Sequence, residues 1–193
     1  MRQMLTRLYI DNYRCFENFE FKPAGRQLIL GGNGSGKSSF MDALGFLQRF
    51  VVEGTKLLDM SAPGEPTRWL NQPTETFELD AKLGDDQYQY RLVLDQPGVP
   101  FMADVALETV TCNGELLLET QGAEVRFRRG PEREVTVRER DTDRSALSLA
   151  FVQVFPELSK LKRWLGEMRC FRIDPFAMES RSDGEAAVPR MGA

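Results

Sequence analysis

Apolar and polar positions follow two different periods along this chain, and the switch between them divides it. From Met4 to Ile10 apolar and polar residues alternate, which predicts a half-buried strand. Phe16 to Phe21 repeats the pattern, and Pro23, Ala24 and Gly25 make a turn. Gln27-Leu28-Ile29-Leu30 is a short apolar run, read as a buried strand. Phe40, Leu44, Leu47 and Val51 then recur at helical spacing, with Gly54 as the stop. Residues 55–73 hold Pro63, Gly64, Pro66 and Pro73 and sustain no period. From Thr74 the period is two for about 65 residues, with turns at Gly84-Asp85-Asp86, Asn113-Gly114 and Gly130-Pro131. This predicts an antiparallel meander of about six strands. After Asp143, Leu147, Phe151 and Val154 share one helical face. Pro156 opens a second helix with the stripe Leu158, Leu161 and Leu165, ending at Gly166. Met168 to Ile173 reads as a last strand. The expected units are 1–54 (strands, loop and first helix), 55–73 (Pro/Gly-rich loop), 74–141 (antiparallel β-subdomain), 142–175 (helices and last strand) and 176–193 (a loose tail).

Composition narrows the chemistry. The 193 residues are 41% apolar and 28% charged, as expected for one globular domain or one domain with a sizeable insertion. No apolar run is long enough to span a membrane, and the first residues lead into no signal-peptide core, so the chain reads as soluble and cytoplasmic. It contains no histidine, which excludes Ser–His–Asp triads, His-ligated zinc and imidazole base chemistry. Cys15, Cys112 and Cys170 are isolated, the pattern of reduced thiols rather than a zinc ribbon or redox pair. Residues 61–120 hold three basic and eleven acidic residues, which would repel a phosphate backbone. Lys160, Lys162 and Arg163 belong to a late basic cluster. It reads either as a solvated helix face or as a DNA contact.

The strongest chemical motif is Gly31-Gly32-Asn33-Gly34-Ser35-Gly36-Lys37-Ser38, which fits the phosphate-binding pattern G-x-x-x-x-G-K-[ST]. Glycines let successive backbone N–H groups turn toward anionic oxygens, and the following helix adds its positive end. Lys37 is expected to reach the β- and γ-phosphates of ATP, and the Ser38 hydroxyl to ligate Mg²⁺, a hard ion that prefers oxygen. Ser39 follows in the same first turn. Average residue frequencies put a chance match in such a chain at about 1%. The position between an apolar run and a periodic helix is the confirming context.

Leu8-x-Ile10-x-Asn12-Tyr13-Arg14-Cys15-Phe16, the loop Gly32 to Phe40, and Asp42-Ala43-Leu44 together resemble the SMC/RecF/OLD-type branch of the ABC ATPases, in particular its bacterial AAA-type predicted ATPases. The resemblance is motif-level over 5–50 and pattern-level over 74–175. It implies an α/β fold with α+β character: the N-terminal lobe of a P-loop NTPase, carrying an inserted antiparallel meander. It implies that Arg14 lies near the nucleotide phosphates, the alternative being a surface Arg in a turn. Asn33 would face the nucleotide or an opposed subunit, or be a plain turn residue. Gln153 would sense Mg²⁺ and water, or be a helix-surface Gln. Members act in DNA repair and anti-phage defence, and in the family two lobes sandwich two ATP molecules.

A complete site of this type also needs a Walker B strand ending in Asp-Glu. Tyr90-Arg91-Leu92-Val93-Leu94-Asp95 is the nearest match, but Arg91 interrupts it, Gln96 replaces the acid and the segment alternates like a hairpin strand. No Leu-Ser-Gly-Gly-type segment is present, and the family's switch histidine cannot be. The expectation is an ATP-binding lobe lacking its C-terminal Walker B lobe, with the rest supplied by a longer product, a homodimer or a partner chain. Such a lobe would bind MgATP with little turnover, and no confident catalytic residue lies in the chain. The competing readings are a transporter's ATP subunit, which the meander fits badly, and a non-catalytic nucleotide-binding module. A small-molecule kinase would need basic residues in 55–73 for its acceptor and lid, and a GTPase would need Asn-Lys-x-Asp; neither is present.

Overall fold

The computed structural model describes residues 3–24, 28–60, 67, 72–95, 103–129, 133–150 and 154–169. The period-two segments pair into one sheet of eight strands: β1 (Gln3–Asp11), β2 (Phe19–Phe21), β3 (Thr74–Leu83), β4 (Asp86–Asp95), β5 (Asp104–Cys112), β6 (Glu115–Gln121), β7 (Glu124–Arg129) and β8 (Arg133–Val137). Their order is β2-β1-β3-β4-β5-β6-β7-β8, every neighbour antiparallel. The N-terminal strands thus share a sheet with the meander, because β1 pairs along its length with β3. Turn chemistry fixes the registers. Asn113 and Gly114 both take positive φ (52° and 82°), as a tight hairpin turn requires, and Asn113 Oδ1 accepts from the Gln87 N–H at 2.8 Å.

Alternation then gives the sheet two unlike faces. Phe77, Leu79, Ala81 and Leu83 of β3 and Tyr88, Tyr90, Leu92 and Leu94 of β4 are buried. The other face carries surface ion pairs, such as Arg7 with Glu20 (2.6 Å) and Glu78 (2.7 Å). One layer of helices covers the apolar face: α1 (Lys37–Leu47), a π-helical continuation (Gln48–Glu53) closed by Gly54 at φ 66°, and α2 (Pro156–Glu167). Phe46 stacks on Phe77 with ring centres 5.1 Å apart. Gln48 Nε2 donates to the carbonyls of Leu165 (2.7 Å) and Met168 (2.8 Å), tying α1 to the end of α2.

Four expectations need correction. Leu28, Ile29 and Leu30 form no strand and are 70%, 41% and 79% exposed, not buried. None of the described strands pairs with them, so no neighbour carries their side chains into the core. The helix expected after Asp143 is a single 3₁₀ turn (Leu147–Leu149), and Ala150 returns to extended backbone. Ser145 and Ala146 are held instead by a carboxylate of the sheet. Gly166 lies inside α2 rather than ending it, where it packs against Val52. Met168 and Arg169 are not strand; the rest of that candidate, Cys170 and the tail lie outside the described residues.

Two carboxyls sit inside this sandwich. Glu108 is fully buried and richly bonded: Ser145 Oγ (2.6 Å) and Tyr90 OH (3.0 Å) donate to one oxygen, and the Ala146 N–H (2.6 Å) donates to the other. Burial pushes its pKa up, and these three donors pull it back. Nearby, Arg140 donates to the carbonyls of Gly122, Arg144 and Val105, so this polar knot ties residues 140–146 to the sheet.

Glu75 is equally buried, but among the described residues neither of its oxygens has a hydrogen-bond partner. Burial alone raises its pKa to about 8. An acid whose pKa is raised on folding holds a proton in the native state that the unfolded chain releases. Its contribution is therefore most favourable below the unfolded value of 4.5 and is lost as pH rises toward about 8. Glu75→Gln is expected to raise stability by about 3 kcal/mol at pH 7 and by little at pH 4. Urea unfolding across pH 4–9 checks this; equal gains at both ends would contradict it.

Candidate functional site

Gly31 to Ser38 forms an exposed loop that turns into α1. Gly34 (φ 80°) and Gly36 (φ 86°) occupy the left-handed region, where a side chain would be strained. At Gly31 a Cβ would lie only 2.5 Å from Ser35 Oγ. Gly34 and Gly36 are therefore required by the loop's shape, whereas a side chain at Gly31 would have to displace the Ser35 hydroxyl and one at Gly32 would meet open space. Gly36 also serves as the N-cap of α1, with no side chain to satisfy the helix's first N–H groups. Phe40 is the first residue whose N–H bonds back, to Gly36 O at 2.9 Å. The N–H groups of Lys37, Ser38 and Ser39 thus occupy the positively polarised end of the helix.

Lys37 leaves the helix start and folds across the loop. Its Nζ donates to Gly31 O (2.5 Å), Gly32 O (2.7 Å) and Ser35 Oγ (3.2 Å). The ammonium therefore already sits over the loop's concave side. Ser38 is exposed beside it. The first-turn N–H groups of α1 and the Lys37 ammonium lie together at the helix start, an arrangement that suits phosphate oxygens. Asn33 lies exposed in the turn at the loop's tip.

The turn after β1 braces this loop. Asn12 and Arg14 both take positive φ (56° and 51°), and Tyr13 and Phe16 exchange backbone hydrogen bonds (3.2 and 2.8 Å). The result is a tight knuckle that presents Cys15 and Phe16 to the loop. A Cβ on Gly36 would sit 3.1 Å from Cys15 Sγ and 3.5 Å from the Phe16 ring. Arg14 is bound to Asp42 on α1 and lies over the Tyr13 ring at 5.5 Å. Arg14 thus braces the phosphate-loop helix through Asp42. Asn12 is fully buried and donates to the carbonyls of Gln72 (3.0 Å) and Thr74 (2.9 Å) while accepting from Thr67. It staples the Pro-rich segment to the end of β1. These bracing roles were missed in the sequence. Their one signal is an asparagine, tolerant of left-handed backbone, ahead of an aromatic directly after a strand.

The other candidates scatter. Gln153 lies outside the described residues. Lys160 pairs with Asp86 at 2.6 Å, and Lys162 donates to Ser148 O at 2.6 Å, its pKa lowered by burial. Two of the three cations suggested for DNA are therefore held by internal partners, and only Arg163 of the three is exposed. Asp95 ends a meander strand opposite Thr74 and Asp104. Among the described residues, no three His, Cys, Asp or Glu side chains gather to hold a metal ion, and no helix is long and apolar enough to cross a membrane.

Comparison with known families agrees with the loop. A family described as "AAA domain, putative AbiEii toxin, Type IV TA system" matches residues 28–175, and one described as "AAA domain" matches residues 7–48. No curated protein matches the chain.

Proposed function

Because the chain belongs to the AAA domain family matched over residues 28–175, we propose that it is the ATP-binding lobe of a MgATP-gated switch that works by dimerising. The observation that carries this reading is the placement of Lys37 Nζ over a glycine loop at the start of α1. On arrival of the nucleotide, Lys37 would exchange two carbonyls for phosphate oxygens. The loop and first-turn N–H groups would hold the rest of the anion, and Ser38 would offer its hydroxyl to Mg²⁺. The bound nucleotide supplies a transferable phosphoryl group. The chain supplies position and positive charge.

Leu28, Ile29 and Leu30 support the sandwich part of the reading. An exposed apolar triplet entering the loop is what an opposed lobe, from more of this protein or from a second chain, would cover. The SMC/RecF/OLD-type relationship rests on the motif around Asn12 to Phe16. The family's description as a putative toxin of a type IV toxin–antitoxin system favours defence over DNA repair as the setting. Lys160 and Lys162 do not support a DNA contact here, since both are engaged internally.

Phosphate release measured beside MgATP binding tests the division of labour. The expected result is saturable binding with no sustained turnover, since Asp42, the acid that the described residues place on the first helix beside the loop, is committed to Arg14. Turnover that stays with the protein through purification would assign a catalytic acid to this chain.

A further inference from the structure

Among the described residues β8 ends the sheet, with β7 as its one neighbour, so one of its sides carries backbone donors and acceptors with no described strand beside them. Residues 134–139 are all exposed. Val135 and Val137 are 46% and 37% exposed, although their cross-strand partners Phe127 and Val125 are buried. They extend the apolar face of the sheet beyond its helical cover. An edge of this kind is normally blunted by proline or an inward-pointing charge. Neither occurs between Glu134 and Val137.

The order of residues along this edge is self-complementary. If a second β8 runs antiparallel with Thr136 opposite Thr136, then Glu134 falls opposite Arg138 and Val135 opposite Val137, each pair occurring twice by symmetry. The register centred on Val135 instead puts Glu134 opposite Thr136, and that centred on Val137 puts Thr136 opposite Arg138, Val135 opposite Glu139, and Glu134 opposite Arg140, which is buried and bonded to the carbonyls of Gly122, Arg144 and Val105; among the exposed residues 134–139 neither register matches a charge with its opposite. Glu134 already meets Arg128 of β7 at 3.2 Å, so in the Thr136 register it would lie between two cations. From this we infer that β8 pairs with β8 of a second copy of this chain, joining two eight-stranded sheets edge to edge about a two-fold axis at Thr136. This contact is remote from the phosphate loop and needs no nucleotide.

The test is the concentration-dependent mass of the full chain by sedimentation velocity without nucleotide, in the parent and in Lys37→Ala. Both are expected to dimerise alike, which separates this contact from any ATP sandwich. Glu134→Arg or Arg138→Glu sets like charges opposite each other twice and is expected to weaken the dimer about tenfold, with the double exchange E134R/R138E restoring it. Thr136→Cys in a Cys15→Ser background is expected to cross-link to itself on oxidation. Directly opposed residues lie about 4.5–5.5 Å apart at Cα, within disulfide range. Val137→Cys, which faces position 135, is not expected to cross-link. A parent chain that stays monomeric at all concentrations, a dimer indifferent to both charge reversals, or equal cross-linking at 136 and 137 would each overturn the inference.

Discussion

Lys37→Ala is expected to weaken MgATP binding at least 100-fold while leaving the fold intact. The ammonium contributes charge-assisted hydrogen bonds of about 1.5–3 kcal/mol each, and two such bonds to phosphate exceed the roughly 2.7 kcal/mol that a hundredfold represents. The cost to stability is small, within about 0.5 kcal/mol, because the side chain lies on an exposed loop and its present partners are carbonyls that water can serve. Lys37→Arg should recover little, since a planar fork cannot replace a point charge that must leave two loop carbonyls for two phosphates. Calorimetric titration of both variants beside the parent checks this. Affinity within threefold of the parent would remove Lys37 from the site.

Glu108→Ala is expected to cost the protein the largest share of its stability, about 3–5 kcal/mol. The substitution strands the Ser145 hydroxyl, the Tyr90 hydroxyl and the Ala146 N–H in a dry interior, at about 1–3 kcal/mol for each unsatisfied group, and takes a negative charge from beside Arg140. Against a typical total of about 5–15 kcal/mol, that is enough to shift much of the population toward unfolded chain. Glu108→Gln keeps the volume and one acceptor but turns an amide N–H₂ toward a donor, so an intermediate loss is expected. Urea midpoints of the two variants at pH 7 measure this. A loss below 1 kcal/mol for Glu108→Ala would mean that Ser145 and Ala146 are not held by the sheet.

The sequence made the strands legible where one face meets the core and the other meets water. β3 and β4 keep strict alternation, β5 changes phase once at a bulge around Ala106, and Asn113-Gly114 announces its hairpin. The phosphate loop was legible for a different reason: its backbone shape admits only glycine at Gly34 and Gly36, so the residue types record the geometry. Period alone misled where tertiary partners decide. Leu28 to Leu30 look like a buried strand, but burial requires a neighbour, and none of the described strands pairs with them. Leu147, Phe151 and Val154 fall on one helical face, yet the bonds that Glu108 makes with Ser145 and Ala146 fix the backbone just ahead of them. The partners of Asn12 and Glu108 were not legible, because a buried polar residue is defined by partners 55 and 37 positions away along the chain. Arg14 was expected at the phosphates, and its ion pair with Asp42 is a contact no spacing rule encodes.

The central claim is that this loop grips the phosphate tail of a nucleotide. The most direct measurement is the affinity of the full chain for ATP, ADP and AMP, each with Mg²⁺, in one calorimetric series. The account predicts that ATP and ADP bind and that AMP, which lacks the β- and γ-phosphates Lys37 would reach, binds at least tenfold more weakly. Equal affinity for all three, or no binding of any, would contradict it.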